Sequence, residues 1–327
     1  MQENNALIDR YGRRFRYLRL SITDVCNFKC SYCLPDGYQC DSERDFLRPT
    51  EIATLVSAFA GLGTRKVRIT GGEPSLRKDL SEIIELCAQT PGIEQVAMTT
   101  NGFKLKQQVA CWQQAGLTKL NLSIDSLDPR QFNAITGHNS LQDILAGLED
   151  ALALGLEVKV NAVLLKPYSE GQMHSFMAWL KSMPVTLRFI ELMQTGDNQL
   201  YFKHNHLSGQ PIKQQLLEQG WVQLLRDNTA GPAQEFSHPD YAGRVGLIMP
   251  YSKDFCSSCN RLRVSALGKL HLCLFAEQGL DLRALIQQGD VAALQQQLMD
   301  LLGHKEASHW LDQGYTGATR HLAMLGG

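Results

Sequence analysis

Short runs rich in β-branched and apolar residues recur along the first part of the chain, at 17–22, 66–70, 95–100, 119–124, 157–164 and 185–192, with helix-like stretches between them. Thr50 is placed to N-cap one of those helices, whose apolar positions Ile52, Leu55, Val56 and Phe59 fall at helical spacing, and Gly61 or Gly63 can end it. Asp79, Gln107 and Leu141 mark further helices, and Gly116 and Gly155 follow two of them as C′ residues. Alternation of this kind predicts a parallel sheet covered by helices, because parallel neighbours need a crossover of a dozen residues or more. Six strand–helix units are too few for a closed eight-fold barrel and fit an open barrel or a doubly wound sheet.

After about Thr195 the pattern becomes irregular. A polar, His-rich stretch covers 201–209, mixed pieces follow, residues 281–302 read as helical, and residues 303–327 read as an extended tail. The division expected is residues 1–195 as one unit and 196–327 as a smaller C-terminal unit.

In parallel α/β folds, ligands meet the loops at the carboxyl ends of strands. The unusual residues of this chain gather there. A group of three cysteines follows the first strand and Gly71-Gly72-Glu73-Pro74 the second, while Thr99-Thr100-Asn101-Gly102 closes the third. Ser123, Asp125 and Ser126 close the fourth, Lys159 and Asn161 lie on the fifth, and Glu191 and Met193 end the sixth.

Composition narrows the class. With 327 residues, 44% hydrophobic and 20% charged, the chain is that of an ordinary globular protein with room for a large core. A formal net charge of −1 gives no global field for nucleic acid or an anionic membrane. No apolar run approaches a membrane span, and residues 1–14 lack the apolar centre of a secretory signal. Nine cysteines without an export signal point to reduced thiols, some of them metal ligands, in the cytoplasm.

Six of those cysteines form two triads. Cys26, Cys30 and Cys33 have the spacing C-x3-C-x2-C, and Cys256, Cys259 and Cys273 have C-x2-C-x13-C. Thiolates in tight loops are soft ligands for zinc or iron–sulfur clusters. A closed site takes four protein ligands, so three suggest a four-iron cluster with one iron open to chemistry. For the second triad a zinc ribbon completed by His271 remains open, since His271 and Cys273 share a face of a strand. Cys40 is not expected to be a ligand, and Cys87 and Cys111 are expected to be small buried residues. His204 and His206 are expected to be a solvated surface pair. The paired glycines Gly71 and Gly72 let a ligand approach the backbone, and the Glu73 carboxylate beside them can take an ammonium group. Arg261 and Arg263 project to one face of a strand beside the second triad, an arrangement suited to phosphate or carboxylate.

Cys26-x3-Cys30 followed by Tyr32-Cys33 resembles the signature of radical S-adenosylmethionine enzymes, and Gly71-Gly72-Glu73 resembles their methionine-amine motif. With the second triad, the Asn260-Arg261-Leu262-Arg263 run and the terminal Gly326-Gly327, the chain from Tyr17 onward resembles the GTP 3′,8-cyclase family of molybdenum cofactor biosynthesis. The resemblance implies an incomplete (β/α)6 TIM-like barrel with a C-terminal extension carrying a second [4Fe–4S] cluster. It implies a cluster on Cys26, Cys30 and Cys33 that binds S-adenosylmethionine, with Tyr32, Gly72, Ser123 and Met193 around that cofactor. It implies that a 5′-deoxyadenosyl radical takes the 3′ hydrogen of GTP, that C3′ attacks C8, and that reduction gives 3′,8-cyclo-7,8-dihydro-GTP. The second cluster, on Cys256, Cys259 and Cys273, would anchor the guanine. Arg19, Arg68, Thr99, Lys159, Arg261, Leu262 and Arg263 fall at positions the family uses around GTP, Arg188 joins the basic wall, and the Gly326-Gly327 tail reaches the active site. As catalytic residues the resemblance singles out Cys26, Cys30, Cys33, Arg261 and Arg263. The implied partners are GTP, an external one-electron reductant and the next enzyme of the molybdopterin pathway, in a lyase that is a monomer or homodimer. The alternatives are another radical enzyme with an auxiliary cluster, such as a peptide modifier, and a non-catalytic zinc protein. The arginine pair favours a phosphorylated substrate over the former.

Overall fold

The computed structural model describes residues 6–40, 44–225 and 230–326. Strands β1 (Tyr17–Thr23), β2 (Lys66–Gly71), β3 (Gln95–Thr100), β4 (Lys119–Ser123), β5 (Glu157–Leu164) and β6 (Thr186–Glu191) lie side by side in sequence order, all parallel. Their bounds follow the six apolar runs of the sequence within a residue. Between them run α1 (Pro49–Gly61), α2 (Leu80–Gln89), α3 (Leu105–Gln114), α4 (Pro129–Thr136), α5 (Leu141–Ala153) and α6 (Ser169–Leu180). Beyond β6 come α7 (Gln199–Asn205), α8 (Gln210–Glu218), β7 (Val222–Gln223), β8 (Gln234–Ser237), β9 (Arg244–Ile248), β10 (Arg261–Val264), β11 (Lys269–His271), β12 (Leu280–Asp281), α9 (Arg283–Gln288) and α10 (Val291–Leu302).

The C-terminal strands extend the same sheet. β10 pairs in parallel with β1 at one edge of the six, and β9 pairs in parallel with β6 at the other. Among the described residues the order is β12-β11-β10-β1-β2-β3-β4-β5-β6-β9-β8-β7, twelve strands with antiparallel pairs only at the two ends. A helix-covered parallel sheet with a C-terminal extension is therefore the architecture.

Successive side chains on a strand point to opposite faces. One set is apolar and buried: Leu18, Leu20, Val67, Ile69, Val96, Met98, Leu120, Leu122, Val160, Leu187, Phe189 and Val245 join Ile52, Leu55, Val56 and Phe59 of α1 in the main core. The alternate set is polar, and Lys66, Arg68, Asn121, Arg188 and Arg263 are nonetheless buried. Buried charge of this kind is costly unless paired or offered to an anion. The sheet thus has a greasy helix-facing side and a cationic side.

Three local expectations change. Helix α1 begins at Pro49 with Arg48 as N-cap, and the Glu51 carboxylate accepts from the Arg48 N–H at 2.7 Å, so Thr50 lies inside the first turn. Pro49 takes that first position because its fixed φ suits a helix start and its missing N–H is not needed there. The 281–302 helix is broken at Gly289, where φ is +71°, between α9 and α10. The tail is not extended: it makes two single 3-10 turns at Leu311–Gln313 and Leu322–Met324 and buries Leu311, Leu322 and Leu325 against Leu274 and Phe275.

Candidate active site

The first cysteine triad sits in the loop after β1. Backbone bonds pin this loop to the end of α4, Lys29 N–H to Thr136 O and Ser31 N–H to Ile135 O, both 2.9 Å, and Phe28 stacks on His138 with ring centroids 4.6 Å apart. The paired glycines serve that loop first. A Cβ on Gly71 would lie 2.0 Å from Thr23 O and one on Gly72 2.2 Å from Val25 O, so only glycine lets the end of β2 pack on it. Glu73 differs from expectation. Its buried carboxylate accepts from Ser75 N–H at 2.9 Å and from Thr100 Oγ1 and Asn101 N–H at 2.7 Å, which fastens the ends of β2 and β3 together and commits it to protein donors.

Cys26, Cys30 and Cys33 open into a cavity also lined by Tyr32, Gly72, Ser123 and Met193, together with Thr70, Thr99, Asn161, Asp125 and Gly326. Tyr32 donates its hydroxyl to Asp125 Oδ2 at 2.9 Å, and Asp125 Oδ1 accepts the Val163 N–H at 2.8 Å. Burial raises the Asp125 carboxyl to about 6, although the Val163 N–H and the Tyr32 hydroxyl pull it down. Burial also raises the Cys26 thiol to about 11 and the Cys33 thiol to about 12, and pushes Cys30 well above its ordinary value, with Asp125 and the neighbouring thiols adding to it. Thiols in such surroundings ionise when a cation joins them.

The second triad opens into a cavity lined by Cys256, Cys259 and Cys273 and by Tyr17, Arg19, Arg68, Arg188, Arg261 and Arg263. Sheet register explains the cluster of arginines: Arg19 lies directly between Arg68 on β2 and Arg263 on β10, and Tyr17 between Lys66 and Arg261. Arg188 donates to Asn121 Oδ1 at 2.6 Å, and its stem passes over Gly246, where a Cβ would be 2.8 Å from Arg188 Cγ. Among the described residues, Arg68 Nε, Arg188 Nε, Arg261 Nη1, Thr99 Oγ1 and Asn161 Oδ1 are buried without a hydrogen-bond partner. The field of these cations is strong. Burial tends to raise the Tyr17 hydroxyl, yet Arg68, Arg19, Lys66 and Arg261 outweigh it and bring it down to about 8. Burial and then mutual repulsion lower Arg188 to about 9 and Arg263 to about 10.

The two cavities adjoin, since Thr99, Asn161, Ile190 and Met193 line both. The chain's own tail reaches the junction: Arg263 Nη1 donates to the carbonyls of Leu325 at 3.1 Å and Gly326 at 3.0 Å, and Arg19 also donates to Gly326 O. Gly327 lies outside the described residues. A third, polar opening carries Lys66, Lys119, Lys159, Glu157 and Glu235 as well as Arg68 and Arg188. There Lys159 Nζ is 2.6 Å from Glu235 Oε1 and 3.7 Å from Glu157 Oε1.

Most expected site residues thus come together, with two departures. The Leu262 side chain points into the core, 1% exposed, opposite Arg261 and Arg263, and Lys159 lines the polar opening rather than the second triad's cavity. Sequence reasoning missed Tyr17 and Lys66, although each stands two positions before a residue it did select, Arg19 and Arg68, on the same strand face. His271 on β11 pairs with Arg263 on β10 and is not among the residues lining the second triad's cavity; burial lowers its imidazole to about 4. No group of three His, Cys, Asp or Glu side chains among the described residues converges on one metal-ion position. His204 and His206 are separate, His204 Nδ1 lying 2.8 Å from Leu200 O and His206 packing on Phe202 and Tyr251. Cys87 is buried and Cys40 exposed, but Cys111 is exposed on α3 rather than buried, because the buried stripe there runs through Leu105, Val109 and Trp112.

Comparison with known proteins bears directly on this site. The Radical SAM superfamily model matches residues 20–180, and the Molybdenum Cofactor Synthesis C model matches residues 185–311. The chain is 57% identical to the GTP 3′,8-cyclase of Aeromonas hydrophila subsp. hydrophila, over 99% of this chain and 96% of that one. This chain belongs to the GTP 3′,8-cyclase family. The family's Tolumonas auensis and Vibrio cholerae serotype O1 members are 55% and 56% identical, over 98% of this chain and 96% and 97% of theirs. Among solved structures, Streptococcus suis SuiB bound to S-adenosylmethionine shares the fold, with a TM-score of 0.64 at 13% identity over 88% of this chain and 65% of that one. This chain therefore spans slightly less than two thirds of SuiB. Among the described residues, no helix is long and apolar enough to cross a membrane.

Proposed function

We propose that this protein converts GTP to 3′,8-cyclo-7,8-dihydro-GTP as a radical S-adenosylmethionine lyase, the first step of molybdenum cofactor biosynthesis. The observation that carries the reading is the pair of adjoining cavities, each holding three thiols, with an arginine-lined wall around one of them. Both donor sets suit [4Fe–4S] clusters: three soft ligands in one loop or neighbouring loops, beside a cavity with room for a further ligand. Cys26, Cys30 and Cys33 would hold one cluster and Cys256, Cys259 and Cys273 the other. Bound at the first triad, the cluster and S-adenosylmethionine supply the 5′-deoxyadenosyl radical that starts the reaction.

The chain's own groups then have defined tasks. Gly72, Ser123, Met193 and Tyr32 shape the wall for S-adenosylmethionine, with the Tyr32 hydroxyl fixed by Asp125. Arg19, Arg68, Arg188, Arg261 and Arg263, with Lys66 and Lys159 at the polar opening, compensate the triphosphate. The unpartnered Nε atoms of Arg68 and Arg188 and Nη1 of Arg261 support this, since an anion would satisfy donors that the protein leaves unmet. Thr99 stands at the junction, where its free hydroxyl and the Asn161 carbonyl can orient a nucleoside. Leu262 can contribute only through its backbone. Enclosure by the tail at Gly326 keeps water from reactive species.

The reading takes residues 1–195 as an incomplete (β/α)6 TIM-like barrel and residues 196–327 as the unit bearing the second cluster; the run of six parallel strands supports it. A reducing cytoplasm, an external one-electron reductant and transfer of the product to the next enzyme of the pathway complete the reading. Anaerobic incubation with S-adenosylmethionine, reductant and GTP tests the reading. Formation of 5′-deoxyadenosine and the cyclic nucleotide, by protein holding about eight irons per chain, is the expected result. A colourless, zinc-loaded protein, or 5′-deoxyadenosine formed with no change in GTP, would end it.

A further inference from the structure

The two thiol triads sit in opposite charge environments. Beside the first stand two buried carboxyls: Asp125 lines its cavity and accepts the Tyr32 hydroxyl, and Glu73 follows Gly72 and accepts the Asn101 N–H. Around the second the buried charges are cations. Arg13 donates to Cys256 O at 3.2 Å, to Ala307 O at 2.9 Å and to Glu306 O at 2.6 Å, and its charge is met by Asp9 at 2.6 Å. Lys305 differs from Arg13 in lacking such a partner. It is 4% exposed, donates to the carbonyl of Leu272, the residue before Cys273, and lies 5.3 Å from the centroid of the Phe15 ring. Among the described residues, no carboxylate forms an ion pair with it.

A buried ammonium with only a carbonyl and a ring for company is costly in an otherwise neutral setting. The cost is recovered when an anion stands nearby. A four-iron core held by three thiolates is anionic overall, and it becomes more so on one-electron reduction. A fixed cation behind the ligand loop therefore favours both the bound group and its reduced form.

We propose that Lys305 is a positioning residue that supplies the countercharge of the group held by Cys256, Cys259 and Cys273, and so holds that group's reduction potential up. The inference rests on the reading of the second triad as a cluster site, and iron content tests that reading separately. Full-length protein carrying Cys26→Ala, Cys30→Ala and Cys33→Ala serves as parent, so that only the second site is observed. Anaerobically reconstituted parent should hold about four irons; a parent without iron removes the cluster reading, and this inference with it, before any Lys305 variant is compared.

In a redox titration followed by electron paramagnetic resonance, Lys305→Met should shift the midpoint to more negative potential, and Lys305→Arg should stay near the parent. An unchanged midpoint in an iron-loaded Lys305→Met protein overturns the proposal. Should Lys305→Met fail to load, Lys305→Arg must load and titrate like the parent; failure of both overturns it. Heat stability provides an independent measurement. Iron-free Lys305→Met should melt no lower than iron-free parent, because it removes an uncompensated charge, whereas the iron-loaded forms should differ in the parent's favour. An iron-free variant that melts well below its parent would make Lys305 a purely structural residue and sink the idea.

Discussion

At the scale of single residues, the site is shaped by side chains that are absent as much as by those present. Gly326 has φ +61° and would place a Cβ 2.0 Å from Thr70 Oγ1, while its carbonyl is held by Arg19 and Arg263. Gly326→Ala must move the tail away from both arginines. A left-handed conformation costs an L-residue about 1–2 kcal/mol before any clash, and each 1.36 kcal/mol is a factor of about ten in rate. Cyclic nucleotide formation should fall roughly five- to thirtyfold by this estimate, with the melting temperature nearly unchanged; an active Gly326→Ala protein would show that the tail does not need this path. Arg188 gives a second case. It rests on Asn121 and on the bare backbone of Gly246, leaving Nε unmet. A charge-assisted bond contributes roughly 1.5–3 kcal/mol, so Arg188→Ala should raise KM for GTP by about ten- to a hundredfold and leave binding of S-adenosylmethionine alone. Equal loss of both ligands would instead mean a collapsed sheet.

At the scale of elements, much of the fold was legible because each parallel strand, covered by helices, must show apolar residues at alternate positions. All six early strands were found, and Gly116 and Gly155 were correctly placed beyond their helices, with φ of +105° and +77°. β9 and β10 were not legible as members of the same sheet, since each has at most five residues and joins an edge from far along the chain. The triads were legible from spacing, whereas Lys305, Tyr17 and Lys66 acquire meaning only when sheet register and burial set them beside other charges. The start of α1 also depends on distant structure. Glu51 caps it through the Arg48 N–H and also meets Arg283 of α9 at 3.1 Å. Burial raises its carboxyl, but the bonds from Arg48 and the charge of Arg283 win and leave it below its ordinary value. A depressed carboxyl contributes stability that is complete above the unfolded value of about 4.3 and is lost as pH falls through the folded one. Glu51→Gln should therefore melt a few degrees below wild type at pH 7. The gap should close as pH drops below about 4. A gap that persists at low pH would assign the effect to shape rather than charge.

Over the whole molecule, the formal charge of −1 conceals an uneven distribution. Five arginines line the second triad's cavity, and Lys66, Lys119 and Lys159 stand at the polar opening against Glu157 and Glu235. Two of those lysines are already paired, Lys119 with Glu157 at 2.6 Å and Lys159 with Glu235 at 2.6 Å. Cations gathered around one cavity repel one another, a polyanion relieves that repulsion, and the relief must appear as stability. Binding to the folded state alone stabilises by RT ln(1 + [L]/Kd), about 2.7 kcal/mol at a hundredfold excess over Kd. For a chain of this size that corresponds to a rise of roughly 4 °C in melting temperature. Iron-free protein should show such a rise with GTP and a smaller one with guanosine, which lacks the charges. The GTP effect should shrink as salt is raised from about 0.05 to 0.5 M, because mobile ions then screen the openings. Glu235→Gln removes the nearer of the two carboxylates that pair with Lys159 and should lower the GTP concentration needed for half of the shift. A GTP shift equal to that of guanosine, and indifferent to salt, would place the triphosphate outside this basic interior and leave the arginines a structural expense without a ligand to explain them.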